Sequence, residues 1–138
     1  MTKQEVLSGV QKSGVVAVIR ADTIANAEKI VESIVKGGIT AIEVTMTVPN
    51  AFELIKKLEK KYQGSDVIIG AGSVTDVVSA KNSIDAGAKY IVGPTFDRDV
   101  VNICNEFQVP VIPGAMTPTE VVNAMKAGAD IVKIFPAT

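Results

Sequence analysis

The chain has 138 residues, 47% of them hydrophobic and 21% charged, which is enough for one domain with its own core. A formal net charge of -1 and an aromatic content of 4% supply neither the basic surface nor the stacking platforms of a nucleic-acid binder, and nothing to draw it to an anionic membrane. There is no histidine, so the commonest general base and the commonest zinc ligand are both missing.

One cysteine, Cys104, stands in the helix-like stretch "DVVNICNEF" and is expected to pack as a small apolar group in a reducing compartment. "MTKQEVLSGVQKSG" has no long apolar run of the signal-peptide kind, and nowhere do about 18 apolar residues follow one another. The expectation is a cytoplasmic protein with no metal site, no nucleic-acid partner and no membrane span. Any catalysis has to run on Lys, Asp, Glu, Ser, Thr or Tyr.

Short β-rich runs alternate with longer amphipathic ones. "VVAVIR" (15–20), "AIEVT" (41–45), "VIIGAG" (67–72), "YIVGP" (90–94), "VPVIPGA" (109–115) and "IVKIFP" (131–136) predict strands, rich in Val and Ile as parallel strands buried on both faces are. Between them, Ile24, Ala27, Ile30, Val31, Ile34 and Val35 make a 3.6-residue stripe over 24–36, and Phe52, Leu54, Ile55 and Leu58 do so over 51–62. "TDVVSAKNSI" and "FDRDVVNI" read as helix starts. A helix over 118–127 is announced by Thr117 as cap, Pro118 in the first turn and Glu120 completing a capping box.

The chain also repeats itself. "KGGITAIEVT", "DAGAKYIVGP" and "KAGADIVKIF" share a helix, a glycine near its end and then a strand. Aligning Gly38, Gly87 and Gly128 brings Glu43, Val92 and Lys133 to the same offset, five residues on. Successive strands begin about 19–26 residues apart. Six βα units in series predict a parallel (β/α)8 TIM barrel, of which this chain covers about six units, with a doubly wound open sheet as the alternative. No linker or charge block divides residues 1–138, so they form one domain. A barrel of this class runs about 250 residues, nearer 200 when compact. The domain is therefore expected to be incomplete at its C-terminal side.

Alternate strand residues share a face, so Ile131, Lys133 and Phe135 point one way, as do Ala41, Glu43 and Thr45. Strands 2 and 6 are both even-numbered, and in a barrel one interior layer is filled by alternate strands. Glu43 and Lys133 are thus placed facing the same interior. The pair could serve as a buried ion pair, or a different register could expose Lys133. If the lysine is desolvated by Ile, Val and Phe neighbours, its free amine is favoured and can attack a ketone to form a Schiff base. Glu43 would then move the protons.

"VVAVIR", "AIEVTMTVPNA", "IIGAGSV", "IPGAMTPTE" and "KIFPA", in this order and spacing, resemble the 2-keto-3-deoxy-6-phosphogluconate aldolase family, which includes the 4-hydroxy-2-oxoglutarate aldolases. The resemblance covers nearly the whole chain. It implies a class I aldolase on a TIM barrel, metal-free and homotrimeric, that interconverts a 2-keto-3-deoxy sugar acid with pyruvate and an aldehyde. By the same resemblance Lys133 is the Schiff-base lysine and Glu43 the general acid/base. Ser73 stands where threonine usually touches the pyruvate carboxylate, and Thr47 where many relatives carry an arginine that holds it. Arg20, at the end of the first strand, is the natural substitute for that arginine, and Pro94 and Phe135 line the pocket. Two other readings stay open: another phosphate-binding barrel enzyme, and a non-catalytic barrel used as an assembly scaffold.

Overall fold

The computed structural model describes residues 1–137; Thr138, the last residue of the expected 1–138 domain, lies outside them. The elements follow as α1 (Lys3–Ser13), β1 (Val16–Ile19), α2 (Ile24–Lys36), β2 (Ala41–Thr45), α3 (Ala51–Lys61), β3 (Ile68–Gly72), α4 (Val77–Asp85), β4 (Ile91–Val92), α5 (Arg98–Glu106), β5 (Val111–Ile112), β6 (Gly114–Ala115), α6 (Pro118–Lys126) and β7 (Lys133–Ile134). All pairing is parallel, with β1 to β5 in chain order in one sheet and β6 beside β7 in a second. The expected α/β architecture with a parallel sheet is therefore present.

The strand expectations need two corrections. Residues 109–115 form two short strands, because Pro113 has no N–H and interrupts the ladder. On one side of it β5 pairs with β4, and on the other β6 pairs with β7. Residues 131–136, expected to be fully buried, pair only at Lys133 and Ile134, and Ile134 and Phe135 are exposed. No strand packs against the far side of β7 among the described residues, so its outer face meets solvent.

Local chemistry starts and stops the helices. The Thr117–Glu120 capping box expected for α6 is present, and Thr2–Glu5 forms a second one that opens α1, a helix over a stretch assigned no element above. Gly38, Gly87 and Gly128, the three glycines of the repeat, all take left-handed φ (95°, 104° and 97°) just past α2, α4 and α6. They turn the chain from helix into strand each time.

The sheet has two faces with different cores. Ile19, Ile42, Val44, Ile69, Ala71, Ile91 and Val111 face outward and pack under α2, α3 and α5. The concave face carries Val16, Ile68, Tyr90, Val92, Ile112 and Ile131, closed from below by Val6 and Val10 of α1. A side chain at Gly9 would overlap Ile68, so α1 approaches the sheet closely only because that position is bare. Lys3 anchors the start of the helix through an ion pair to Asp130 (3.0 Å) and a hydrogen bond to Asn105 (2.9 Å).

Candidate active site

Glu43 is the central residue of β2, beside Val18 of β1 and Gly70 of β3. It is 4% exposed. Its carboxylate occupies the space that a Cβ at Gly72 would need, so the glycine makes its seat. Burial raises the Glu43 pKa above the ordinary carboxylate range, against the opposing pull of the Lys133 and Arg20 charges.

Lys133 shares a concave cavity of about 310 Å³ with Glu43, walled by Val10, Val16, Val18, Tyr90, Val92, Ile112 and Ile131. The face sharing expected from alternation and from the even-strand rule is thus realised. The expected burial of the lysine is not: Lys133 is half-exposed, because it stands on the edge strand. Its ammonium lies over the Phe135 ring, 4.8 Å from the centroid, where the ring's negative face attracts a cation.

The other expected site residues divide by position. Arg20 is exposed just beyond β1, and its charge acts on Glu43. Ser73, half-buried directly after β3, holds a left-handed φ of 59°, a conformation that a non-glycine residue keeps only when its surroundings impose it. Pro94 and Phe135 lie together on a second cavity of about 390 Å³, with Thr95, Gly114, Met116 and Glu120. A Cβ at Gly114 would overlap the Pro94 carbonyl, which fixes how closely β6 passes that loop.

Thr47 is exposed, and its Oγ1 is 2.7 Å from that of Thr45. The buried Thr45 hydroxyl spends its one proton on the Ile19 carbonyl at 2.9 Å, so Thr47 is the donor to Thr45. That relay commits the Thr47 proton to the protein.

Two residues were not singled out from sequence. Thr45 is one; its burial at the end of β2 was legible, its relay was not. The other is Tyr90, fully buried against the cavity. Alternation from Val92 to Tyr90 was the available signal, as was the bare Gly70 on which the ring rests: a Cβ there would overlap it. Burial and the Glu43 charge push the Tyr90 phenol well above its ordinary pKa.

No group of three or more His, Cys, Asp or Glu side chains is placed to hold a metal ion among the described residues, and no helix there is long and apolar enough to cross a membrane.

A parallel α/β sheet whose concave cavity joins a lysine to a buried carboxylate defines the class of protein. Its family follows from comparison. The model of the aldolase family "KDPG and KHG aldolase" matches residues 6–138, and the chain belongs to that family. It is 42% identical over 73 residues to the 2-dehydro-3-deoxy-phosphogluconate aldolase of Treponema pallidum (strain Nichols), a stretch covering 53% of this chain and 35% of that protein. The 2-keto-3-deoxy-6-phosphogluconate aldolase of Zymomonas mobilis ZM4, solved with 3-phosphoglycerate, superposes with a TM-score of 0.86 at 27% identity, covering 99% of this chain and 64% of that one. The KDPG aldolase of Legionella pneumophila, solved with pyruvate captured as a covalent carbinolamine, gives a TM-score of 0.81 at 27% identity, over 88% and 58% of the two chains. The chain thus spans about a third of the Treponema protein in sequence and about three fifths of these two solved structures.

Proposed function

We propose that the protein is a class I aldolase that reversibly cleaves a 2-keto-3-deoxy sugar acid, of the 6-phosphogluconate type or 4-hydroxy-2-oxoglutarate. The products are pyruvate and an aldehyde, glyceraldehyde 3-phosphate or glyoxylate. The observation that carries this reading is the pairing of Lys133 with the buried Glu43 in one cavity. The Lys133 amine attacks the ketone carbon to give a carbinolamine, and Glu43 in its acid form protonates its hydroxyl, which leaves as water to give an iminium. Glu43, now the base, removes the C4 hydroxyl proton. The C3–C4 bond breaks, its electron pair passing into the iminium, and the aldehyde leaves. The same carboxyl returns the proton to the enamine carbon, and water releases pyruvate from the lysine. A carboxyl with a raised pKa suits this two-way role, since both forms are then accessible nearer neutral pH.

For the substrate carboxylate we assign Arg20 and Ser73, both just past strand C-termini, with Thr47 contributing only acceptor lone pairs while its proton serves Thr45. Pro94 and Phe135 form the wall toward the rest of the substrate. The same reading makes the catalytic unit a closed (β/α)8 barrel, of which residues 1–138 supply about six units. It also makes the protein a cytoplasmic, metal-independent homotrimer. Met116, Val122 and Met125, exposed on and beside α6, are an apolar surface of the kind subunits cover.

Incubation with pyruvate, reduction with borohydride and peptide mass analysis test the reading. A reduced pyruvate adduct on Lys133 is expected; well-folded protein that carries none rejects it.

A further inference from the structure

We propose that Thr45 is a positioning residue for Arg20: its buried hydroxyl, tied to the Ile19 carbonyl, sets where the end of β1 presents the guanidinium to the substrate carboxylate. The role of Arg20 rests on the aldolase reading above, while the tether stands on the hydrogen bonds alone.

Thr45 is the last residue of β2 and is 0% exposed. Its Oγ1 donates to the carbonyl of Ile19, the last residue of β1, at 2.9 Å, and lies 2.7 Å from the Thr47 hydroxyl that donates to it. The Ile19 carbonyl belongs to the planar peptide that begins Arg20, so the hydroxyl holds the plane from which that side chain departs. Beyond it the chain runs through Arg20, Ala21 and Asp22 to Thr23, the N-cap of α2. Among the described residues these three make no hydrogen bond, and Ala21 alone of them packs against the outward core. The nearest side-chain hydrogen bond to the exposed arginine is therefore the one that Thr45 supplies.

Valine has nearly the same shape as threonine and suits a buried strand, so filling the space at 45 does not call for the oxygen. Val18 borders the cavity of Glu43 and Lys133 while Ile19 faces the outward core, so alternation sends Arg20 to the cavity side. The Arg20 charge is felt at the Glu43 carboxyl, which agrees with that placement. An arginine that grips a carboxylate with two parallel hydrogen bonds depends on where its stem begins, because the fork geometry is fixed and small misplacements are costly. Thr45 controls that starting point from the next strand.

The test compares pyruvate with its methyl ester, which offers the same ketone without the charge, by borohydride trapping on Lys133 in the full chain. Thr45→Val is expected to raise the half-saturating pyruvate concentration roughly fivefold, the worth of about one hydrogen bond, and to leave the ester unchanged. Thr45→Ser keeps the donor and is expected to restore the original value. In an Arg20→Gln background, Thr45→Val is expected to add nothing further. Equal weakening of pyruvate and ester, or an undiminished effect of Thr45→Val without Arg20, overturns the proposal. If the wild-type protein forms no adduct, the aldolase reading fails, and nitrogen-15 relaxation of the Arg20 side chain decides the tether. Greater Arg20 mobility in Thr45→Val, with Arg98 unchanged, upholds it; no change at Arg20 overturns it.

Discussion

The two halves of the candidate site are built differently. Glu43 sits mid-strand in a fully buried five-residue element, paired on both sides, with its carboxylate in a seat that Gly72 leaves open. Lys133 begins a two-residue strand that pairs with β6 alone, and its amide hangs on one bond to the Pro113 carbonyl (2.9 Å). Glu43 is therefore positioned by packing, which is stiff at close-packed density, and Lys133 by a few hydrogen bonds at an edge. Stability and chemistry consequently respond to different residues on the two sides.

Lys133→Met should remove the borohydride-trapped pyruvate adduct entirely while leaving the β2–β3 half intact; an adduct of equal yield elsewhere on the chain would break the division of roles. Glu43→Gln is expected to slow pyruvate proton exchange by roughly 10²–10⁴-fold, the usual worth of a positioned acid/base. It should also change the pH dependence of stability in a defined direction. The folded-state pKa of Glu43 is raised above its ordinary 4.5, so its stabilising contribution is complete below that value and is lost as pH rises through the folded pKa. The Gln variant should therefore gain on wild type in thermal melts as pH rises above the ordinary carboxyl range, and the gain should shrink in acid.

Gly72→Ala attacks the stiff half directly. The new methyl overlaps the Glu43 carboxylate, and overpacking of this kind costs about 1–3 kcal/mol. Denaturant unfolding reads that loss, and a neutral result would mean the Glu43 seat is softer than its burial indicates. Lys3→Met attacks the edge half. Lys3 and Asp130, with side chains 20% and 16% exposed, tie α1 to the approach to β7, and Asp130 in turn accepts from the Val111 amide at 3.1 Å. A partly buried pair of this kind contributes on the order of 1 kcal/mol. Hydrogen exchange should quicken at the Lys133 amide and stay unchanged at Glu43; equal quickening at both would erase the contrast.

Much of this was readable from residues. The glycine repeat aligned Glu43, Val92 and Lys133, and all three line the one cavity. The Thr117–Glu120 box and the helix over 24–36 stand as the spacing foretold. Three features were not readable. Pro113 marked where the run could break, but the pairing of its two halves with β4 and β7 depended on the assembled sheets. The commitment of the Thr47 proton depended on the Ile19 carbonyl, 26 residues before Thr45. The half-exposure of Lys133 depended on its strand standing at an edge.

The sequence by itself determined the alternation of strand and helix, the left-handed turns at Gly38, Gly87 and Gly128, and the face on which each strand residue lies. These follow from φ/ψ limits and periodicity within a few residues of chain. Only the tertiary structure decided how deeply each charge is buried, that Gly70 and Gly72 seat Tyr90 and Glu43 side by side, and that α1 closes the cavity from below. Those outcomes depend on contacts between segments far apart in the chain. Solvent exposure, and with it the Glu43 pKa, is a property of that assembled surface.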